Sequence, residues 1–449
     1  MDYKEPHVIE IQEQEEKSLK LSKRSFITAI IVIAVLMLVS YGLTLILPGC
    51  DLPVWKFLLS PVLVLTVDGS STIIAVLIFL LVIGGIFNAL GECGLMKYML
   101  NKIAFKFGEK KYKLMAIVML FFMAMGALIG SFEECVPLVP IVVGLAIRLG
   151  WDQKVGLAMS MLAVGCGFAS GVFNPFTVGV AQELAGLPMF SGAWLRVVSF
   201  VIIYAILLLF VMRYAKKNDR GYHEMASFEA DKNLDLGFKL FAGIMIFGIV
   251  LVFCSAFITV LQDYTLIIVA IMFLVAGVAA SMASKLRGKA FLKSFGSGVV
   301  SMLPALLMIL MASSIKYTLE TAGALDVILQ GAIKLAASLP KWEVILFIYL
   351  IVLVMNFFIA SGSAKAFMLI PLIVPLAQVF DISAQLCVVA FAFGDGFSNV
   401  FYPTNPALLI SLGLADVSYT DWAKWSGKFQ LINLVITSLL LLLGLAVGY

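Results

Sequence analysis

The chain is 449 residues long, 62% of them apolar and only 13% charged, with a net charge of +4 and a mean hydropathy of +1.08. Soluble domains carry about 25% charged residues, and one of this size could not cover so much apolar surface with so few charges. The composition excludes a water-soluble enzyme and makes the bilayer the solvent for most of the chain.

In chain order, the first 24 residues are polar and mixed in charge, and Glu10 to Lys23 reads as a short helix or a disordered tail. The first apolar run starts too late and is too long for a cleavable signal peptide. About nine runs are long enough for helical spans: 26–48, 70–90, 155–186, 192–213, 238–260, 263–283, 297–319, 384–412 and 427–447. They are continuous rather than alternating, which excludes a β-barrel. Two of them, 155–186 and 384–412, are too long for one straight helix and contain Gly-rich and Pro-rich interruptions. Two pairs of shorter apolar pieces, 113–130 with 136–150 and 343–360 with 365–379, read as re-entrant hairpins. Their tips are Gly130-Ser131-Phe132-Glu133-Glu134 and Ser361-Gly362-Ser363-Ala364-Lys365. Segments 92–108 and 322–338 mix charge and apolar residues at helical spacing, the pattern of helices lying flat at the membrane surface.

An internal repeat organises these elements. A shift of +229 brings Leu90 onto Leu319, Gly94 onto Gly323, Leu100 onto Leu329, Asp152 onto Asp381, and Gly165, Gly167 and Phe168 onto Gly394, Gly396 and Phe397. After a two-residue insertion, Asn174-Pro175 meets Asn405-Pro406 and Trp194 meets Trp425. The expected organisation is a cytoplasmic tail (1–25), a first repeat (26–213), a cytoplasmic loop (214–237), a linking span (238–260) and a second repeat (261–449). The odd number of intervening crossings inverts the second repeat. With a cytoplasmic N-terminus, 25 of the 31 basic residues fall on inside segments, as the positive-inside rule requires. That placement accounts for the net charge and calls for no nucleic-acid partner. The expected fold is thus an all-α polytopic membrane protein of two inverted repeats.

Inverted repeats with discontinuous helices belong to secondary transporters, whose sites lie near the midplane. A helix broken inside a membrane frees N–H and C=O groups that must find partners, and ions or substrates can serve. The two interrupted stretches are Gly165–Pro175 and Gly394–Pro406. A kinked span with tightly packed glycines is the plainer reading of either stretch alone. Ionisable groups within spans are costly and are functional candidates by default. Asp395, Glu133, Glu134 and Lys365 are the ones that stand out. The alternatives are a structural ion pair between Asp395 and Lys365, and a solvated loop at Glu133-Glu134. Glu92, Glu320 and Asp326 border the flat helices and read as interfacial. His7 and His223 sit in polar segments, and the six cysteines show no paired spacing; no metal or disulfide framework is indicated. No phosphate-binding loop or dinucleotide fingerprint is present, so transport would run on gradients or exchange and needs no resident cofactor. No nucleophile–base arrangement suggests an enzyme.

At these residues the chain resembles the YfcC-like carriers of the ion transporter superfamily, relatives of the anaerobic dicarboxylate carriers and the aminobenzoyl-glutamate transporters. Gly130–Glu134 with Pro137 and Pro140 is similar to the family's first tip, and Gly165–Pro175 with Thr177 to its first break. Ser361-Gly362-Ser363 with Pro371 and Pro375 is similar to the second tip, and Phe393–Asn399 to its most specific motif. The resemblance covers roughly residues 70–430. It implies an elevator-type carrier of the bacterial cytoplasmic membrane, working as a homodimer on basic amino acids, dicarboxylates or amino-acid conjugates.

The candidate substrate ligands are Ser131, Glu133, Glu134, Asn174, Thr177, Ser361, Gly362, Ser363, Lys365, Asp395, Asn399, Thr404 and Asn405. A coupling Na⁺ would sit near Gly165, Gly167, Ser170, Gly394, Asp395 and Ser398; H⁺ is the other coupling ion considered. Three acids against one lysine favour a cationic load. The leading expectation is exchange or symport of a basic amino acid such as arginine or ornithine. Glu133, Glu134 and Asp395 would take its cationic groups, and the second tip its α-carboxylate. The runner-up is Na⁺-coupled or H⁺-coupled carboxylate transport, with the acids serving the ion.

Overall fold

The computed structural model describes residues 23–67, 70–130, 132–188, 190–221, 230–255, 265–336 and 338–449. The expected tail up to residue 22, Ser131, His7 and His223 lie outside them. Every regular element among the described residues is helical. The chain opens with α1 (Lys23–Ile46), α2 (Val54–Leu63), α3 (Ser70–Glu92) and α4 (Leu95–Phe107). Next come α5 (Lys111–Ala124), extended by a π turn over Met125–Ile129, and α6 (Val139–Arg148), entered through a 3-10 turn over Glu133–Leu138. The short helices α7 (Gln153–Leu157), α8 (Ala163–Ser170) and α9 (Val180–Leu184) precede the long α10 (Ala193–Lys217). The remainder comprises α11 (Lys232–Ser255), α12 (Thr265–Ala283), α13 (Gly288–Thr321), α14 (Ala324–Ala336), α15 (Lys341–Phe358), α16 (Gly362–Val379), α17 (Ala384–Asn399), α18 (Pro406–Leu414) and α19 (Tyr419–Ala446).

Among the described residues, seven helical runs are long and apolar enough to cross a membrane: Ile73–Glu92, Leu95–Ile129, Ala193–Lys217, Gly288–Thr321, Lys341–Phe358, Gly362–Val379 and Tyr419–Ala446. Three shorter apolar helices accompany them, Ile30–Ile46, Cys135–Arg148 and Ile267–Ala283. The second arm of the second hairpin, expected to be short, is an 18-residue helix.

The helices pack in two groups. In one, α13 lies along α3 with α1, α2 and α12 around them, and α11 packs on α12. In the other, α15 and α8 flank α17, α5 and α10 flank α8, α16 reaches α9, and α19 joins α17 to α10. The two halves share local punctuation: Gly94 and Gly323 both turn the chain at left-handed φ, 75° and 74°, before α4 and α14. That conformation suits glycine, which has no Cβ to clash. Asp152 and Ser383 N-cap α7 and α17 by accepting from Val155 N and Leu386 N.

The two interruptions fall later than the Gly-rich stretches. Helix α8 continues through Gly165 and Gly167 to Ser170, and α17 through Gly394 and Gly396 to Asn399. The glycines are there because helices cross at those points. A Cβ on Gly167 would meet Met123 O at 1.9 Å, and one on Gly396 would meet Ala169 Cα at 2.2 Å. The breaks themselves are Gly171–Asn174 and Val400–Asn405. After each, an asparagine–proline pair starts the next helical piece. The Asn side chain accepts from Thr177 N in the first, and from Ala407 N and Leu408 N in the second. Proline is at home there, because the first N–H of a helix has no partner in any case.

The start of α5 and the end of α6 are clasped by the turn that follows α10. Asp219, beyond α10, accepts from Lys111 Nζ at 2.6 Å, Tyr112 OH at 2.6 Å and Gly221 N at 2.9 Å. Lys111 also donates to Leu149 O at the end of α6. Burial alone would raise the Asp219 pKa, but the bonds from Lys111, Tyr112 and Gly221 outweigh it and hold the carboxyl below its ordinary value.

Two outcomes follow from this packing. Because backbone cannot yield, Gly167→Ala and Gly396→Ala should each destabilise by about 1–3 kcal/mol or more, while Gly243→Ala, with open space around it, should leave the thermal midpoint in detergent unchanged. A lowered folded pKa means that the Asp219 contribution is complete above the unfolded carboxylate value and is lost as pH falls through the folded one. Asp219→Ala should therefore lower Tm at pH 7, and its deficit should shrink as the pH drops below about 4.

Candidate functional site

The two tips and the two breaks converge, but the functional side chains are not arranged symmetrically. On the second side, α15 ends at Phe358 and α16 starts at Gly362, with Ser361 as its N-cap. Lys365 lies in the first turn of α16. A cation is disfavoured at the positive end of a helix dipole, and here its side chain turns away toward α15 and α17. Its ammonium donates to Asn356 Oδ1, to Ile359 O at 3.1 Å and to Asp395 Oδ1 at 2.6 Å. Lys365 and Asp395 are both 0% exposed. Three N–H donors and three oxygen acceptors leave the ammonium fully used.

Asn356 is the hub of this network. Its amide nitrogen reaches Ser398 Oγ at 2.6 Å, Asp395 O at 3.1 Å and Asn399 Oδ1 at 3.1 Å. Asn405 Nδ2 donates to the same Asn399 oxygen at 3.0 Å. Sequence reasoning passed over Asn356. The available signal was an amide in the otherwise apolar run 343–360, where a polar group is a functional candidate.

One oxygen of the network stays open. Asp395 Oδ2 is buried and makes no hydrogen bond of normal geometry among the described residues, with only the Asn399 amide nearby on its own helix. Thr177 Oγ1 and Thr404 Oγ1 are buried in the same condition. The second tip is seated on this spot: a Cβ added to Gly362 would meet Thr177 Cγ2 at 2.6 Å and Asp395 Oδ2 at 2.7 Å. A residue just past the first break and a residue of α17 thus meet the second tip at one point.

On the first side, Gly130 turns at φ 77° and the chain enters the 3-10 turn at Glu133. Phe132 is buried edge-on against Phe168 of α8, with ring centroids 6.1 Å apart. That contact anchors the tip and leaves the Glu133 side chain exposed. Glu134 lies in the same turn, and its side chain is outside the described residues, as is Ser131. The 3-10 turn packs on α18, just as α16 packs on α9, so each tip touches the far piece of the opposite broken helix.

Other expected ligands have local duties. Asn174 and Asn405 are helix caps. Ser170 donates to Cys166 O and Ser398 to Gly394 O, one helical turn back. Gly165 and Gly394 close on Val400 and Val352. Ser361 and Ser363 stay at the accessible rim of the tip. The carbonyls freed by the breaks are taken from the flanks: Trp422 Nε1 donates to Val400 O at 2.8 Å, Tyr419 OH to Phe401 O at 3.1 Å, and the buried Arg196 to Val172 O at 3.4 Å.

Among known proteins, the family described as C4-dicarboxylate anaerobic carrier (DcuC) matches residues 56–446. YfcC of Escherichia coli, provisionally named a basic amino acid antiporter, is 30% identical over 404 residues, covering 84% of this chain and 79% of its own. An uncharacterized protein of Haemophilus influenzae is 24% identical over 398 residues, covering 84% and 76%. Among solved structures, the YdaH transporter of Alcanivorax borkumensis superposes with a TM-score of 0.47 at 17% identity, covering 95% of this chain and 99% of its own. MtrF of Neisseria gonorrhoeae superposes with a TM-score of 0.40 at 15% identity, covering 93% and 94%.

Removing either partner of a buried ion pair strands the other, at a typical cost of about 3–5 kcal/mol. Asp395→Asn and Lys365→Met should each lower Tm strongly. The double variant should lose less than the sum of the two, read as a coupling energy in a double-mutant cycle.

Proposed function

The chain belongs to the C4-dicarboxylate anaerobic carrier family, and from that premise we propose that it exchanges a basic amino acid, such as arginine or ornithine, across the bacterial cytoplasmic membrane. It is a multi-pass membrane protein of a transporter family, which fits a small-molecule substrate and a lipid environment. The observation that carries the substrate reading is the open, buried Asp395 Oδ2 beside Thr177 and Gly362. A buried acceptor with no hydrogen bond of normal geometry is costly, and a cationic or N–H-rich group is its natural partner. Glu133 supplies a second acid at the opposite tip. The provisional naming of YfcC as a basic amino acid antiporter supports the same choice.

The family description favours the second reading, a Na⁺- or H⁺-coupled dicarboxylate carrier. A dianion, however, finds no free lysine at the site, since Lys365 has spent all three donors. It would have to bind on the backbone N–H groups at the start of α16, between two acids. An amino acid suits both features: its α-carboxylate to the α16 N-terminus, and its cationic groups to Asp395 and Glu133.

The proposed movement is elevator-like, with two inverted halves, a cytoplasmic N-terminus and a homodimeric assembly. The grouping of the hairpins, broken helices, α10 and α19 into one packing unit, against the α1–α3 and α11–α13 unit, supports such a division. The burial of Lys365, and the seating of Gly362 against Asp395 in α17, support a re-entrant second hairpin over two full spans.

Purified protein should be stabilised by arginine or ornithine in a thermal-shift screen, saturably and without a matching response to dicarboxylates. Glu133→Gln, which leaves the Lys365–Asp395 pair intact, should weaken that binding by about 10–100-fold, the equivalent of one charged hydrogen bond. A response to a dicarboxylate with Na⁺, and none to basic amino acids, would reverse the choice between the two readings.

A further inference from the structure

The ammonium of Lys365 has the surroundings of a bound metal cation. It is held by one carboxylate oxygen, one amide oxygen and one main-chain carbonyl, drawn from α17, α15 and the tip between α15 and α16. Hard cations such as Na⁺ take oxygen donors of these kinds. The carbonyl is that of Ile359, just past the C-terminal end of α15, where the helix dipole favours positive charge. The ligand set is also where a coupling Na⁺ was expected, beside Gly394, Asp395 and Ser398.

The two halves show that this arrangement is a unit. In the register that pairs Gly165 with Gly394, Cys166 stands where Asp395 does and Ala127 where Asn356 does. No basic residue lies between Lys113 and Arg148 in the first hairpin. At the matched positions, acid, amide and lysine are therefore present together in the second half and missing together from the first. A carboxylate placed alone at this depth would need a cation from solution. Placed with Lys365, it has one built in.

We propose that Lys365 is a tethered counter-cation that takes the place of a coupling Na⁺ at the second break, so that this half of the carrier assembles and binds its substrate without Na⁺. The proposal rests on the transporter reading but not on the choice of substrate. Its consequence is that the cation moves with the protein instead of with the substrate. One gradient is removed from the cycle, which leaves exchange, or coupling to another ion, to drive transport.

The test uses the purified full chain, with Na⁺ replaced by choline at constant ionic strength and no substrate present. The wild-type Tm should be the same in both salts. Lys365→Ala, which empties the ammonium position but keeps Asp395, Asn356 and Ile359 O, should have a lower Tm that NaCl raises saturably and choline chloride does not. Lys365→Ala/Asp395→Asn should lose that response. A saturable rise of the wild-type Tm with Na⁺ overturns the proposal, and this arm needs no variant. A well-folded Lys365→Ala that ignores Na⁺ overturns it too, leaving Lys365 as a structural pin. If Lys365→Ala survives extraction only in NaCl and not in choline chloride, that selectivity supports the proposal. Because no arm contains arginine or any other solute, failure of the substrate reading would appear only in the separate ligand screen.

Discussion

A helix that stops and restarts inside a membrane leaves peptide groups with no water to bind, and each unpaired group costs several kcal/mol. Much of the site follows from how this chain pairs them. The restarting pieces are capped by Asn174 and Asn405, whose side chains accept from the first N–H groups. The stopping pieces hand their carbonyls to donors on the two long flanking helices: Arg196 on α10, and Trp422, Tyr419 and Gln430 on α19. These bonds bind α10 and α19 to the breaks. Neither helix can separate from its break without stranding a carbonyl.

The same constraint governs the charges. A buried ion pair is weak evidence for stability, since desolvation offsets most of the attraction. The Lys365–Asp395 pair is better understood by what it leaves over. Every N–H of the lysine is consumed, while the carboxylate keeps one oxygen in reserve beside the tip. The pair therefore presents a site that is close to neutral in total charge, yet an acceptor in local character. Glu133, exposed beside the buried Phe132, adds an acidic group from the other side.

The legible part of this molecule is the part written in composition and in single unusual residues. Apolar runs declare helices, and the lone Asp395 among phenylalanines declares a site. The glycines misled in one respect: Gly165–Gly167 and Gly394–Gly396 look like helix breakers, but they sit inside α8 and α17, where a Cβ would run into neighbouring backbone at Gly167 and Gly396 and into the valine side chains of Val400 and Val352 at Gly165 and Gly394. Which of these two duties a glycine performs depends on its neighbours in space. The true breaks are marked by the Asn-Pro pairs, which act through local capping and so were visible. Asn356 was hidden for the opposite reason, since the partners of its amide nitrogen lie 39 to 43 positions along the chain. Lys365 was assigned to the substrate carboxylate because its charge was visible, while the three oxygens that use it up were not.

The asymmetry between the halves is the last step. Each half of the chain carries a left-handed glycine turn, a side-chain-capped helix start and a glycine at a close backbone approach. The polar fillings differ: Cys166 and Ala127 on one side, Asp395 and Asn356 with Lys365 on the other. A duplicated frame with unlike fillings offers an asymmetric solute two different docking ends. The first tip contributes an exposed acid on a short turn. The second contributes the N-terminus of the 18-residue α16, with a shielded acid behind it. Under the proposed function, an elongated molecule carrying one carboxylate and one distant cation would match that pair of ends, whereas a symmetric dianion would face an acid at each. The substrate preference argued for this carrier therefore rests on the difference between its halves as much as on any single residue.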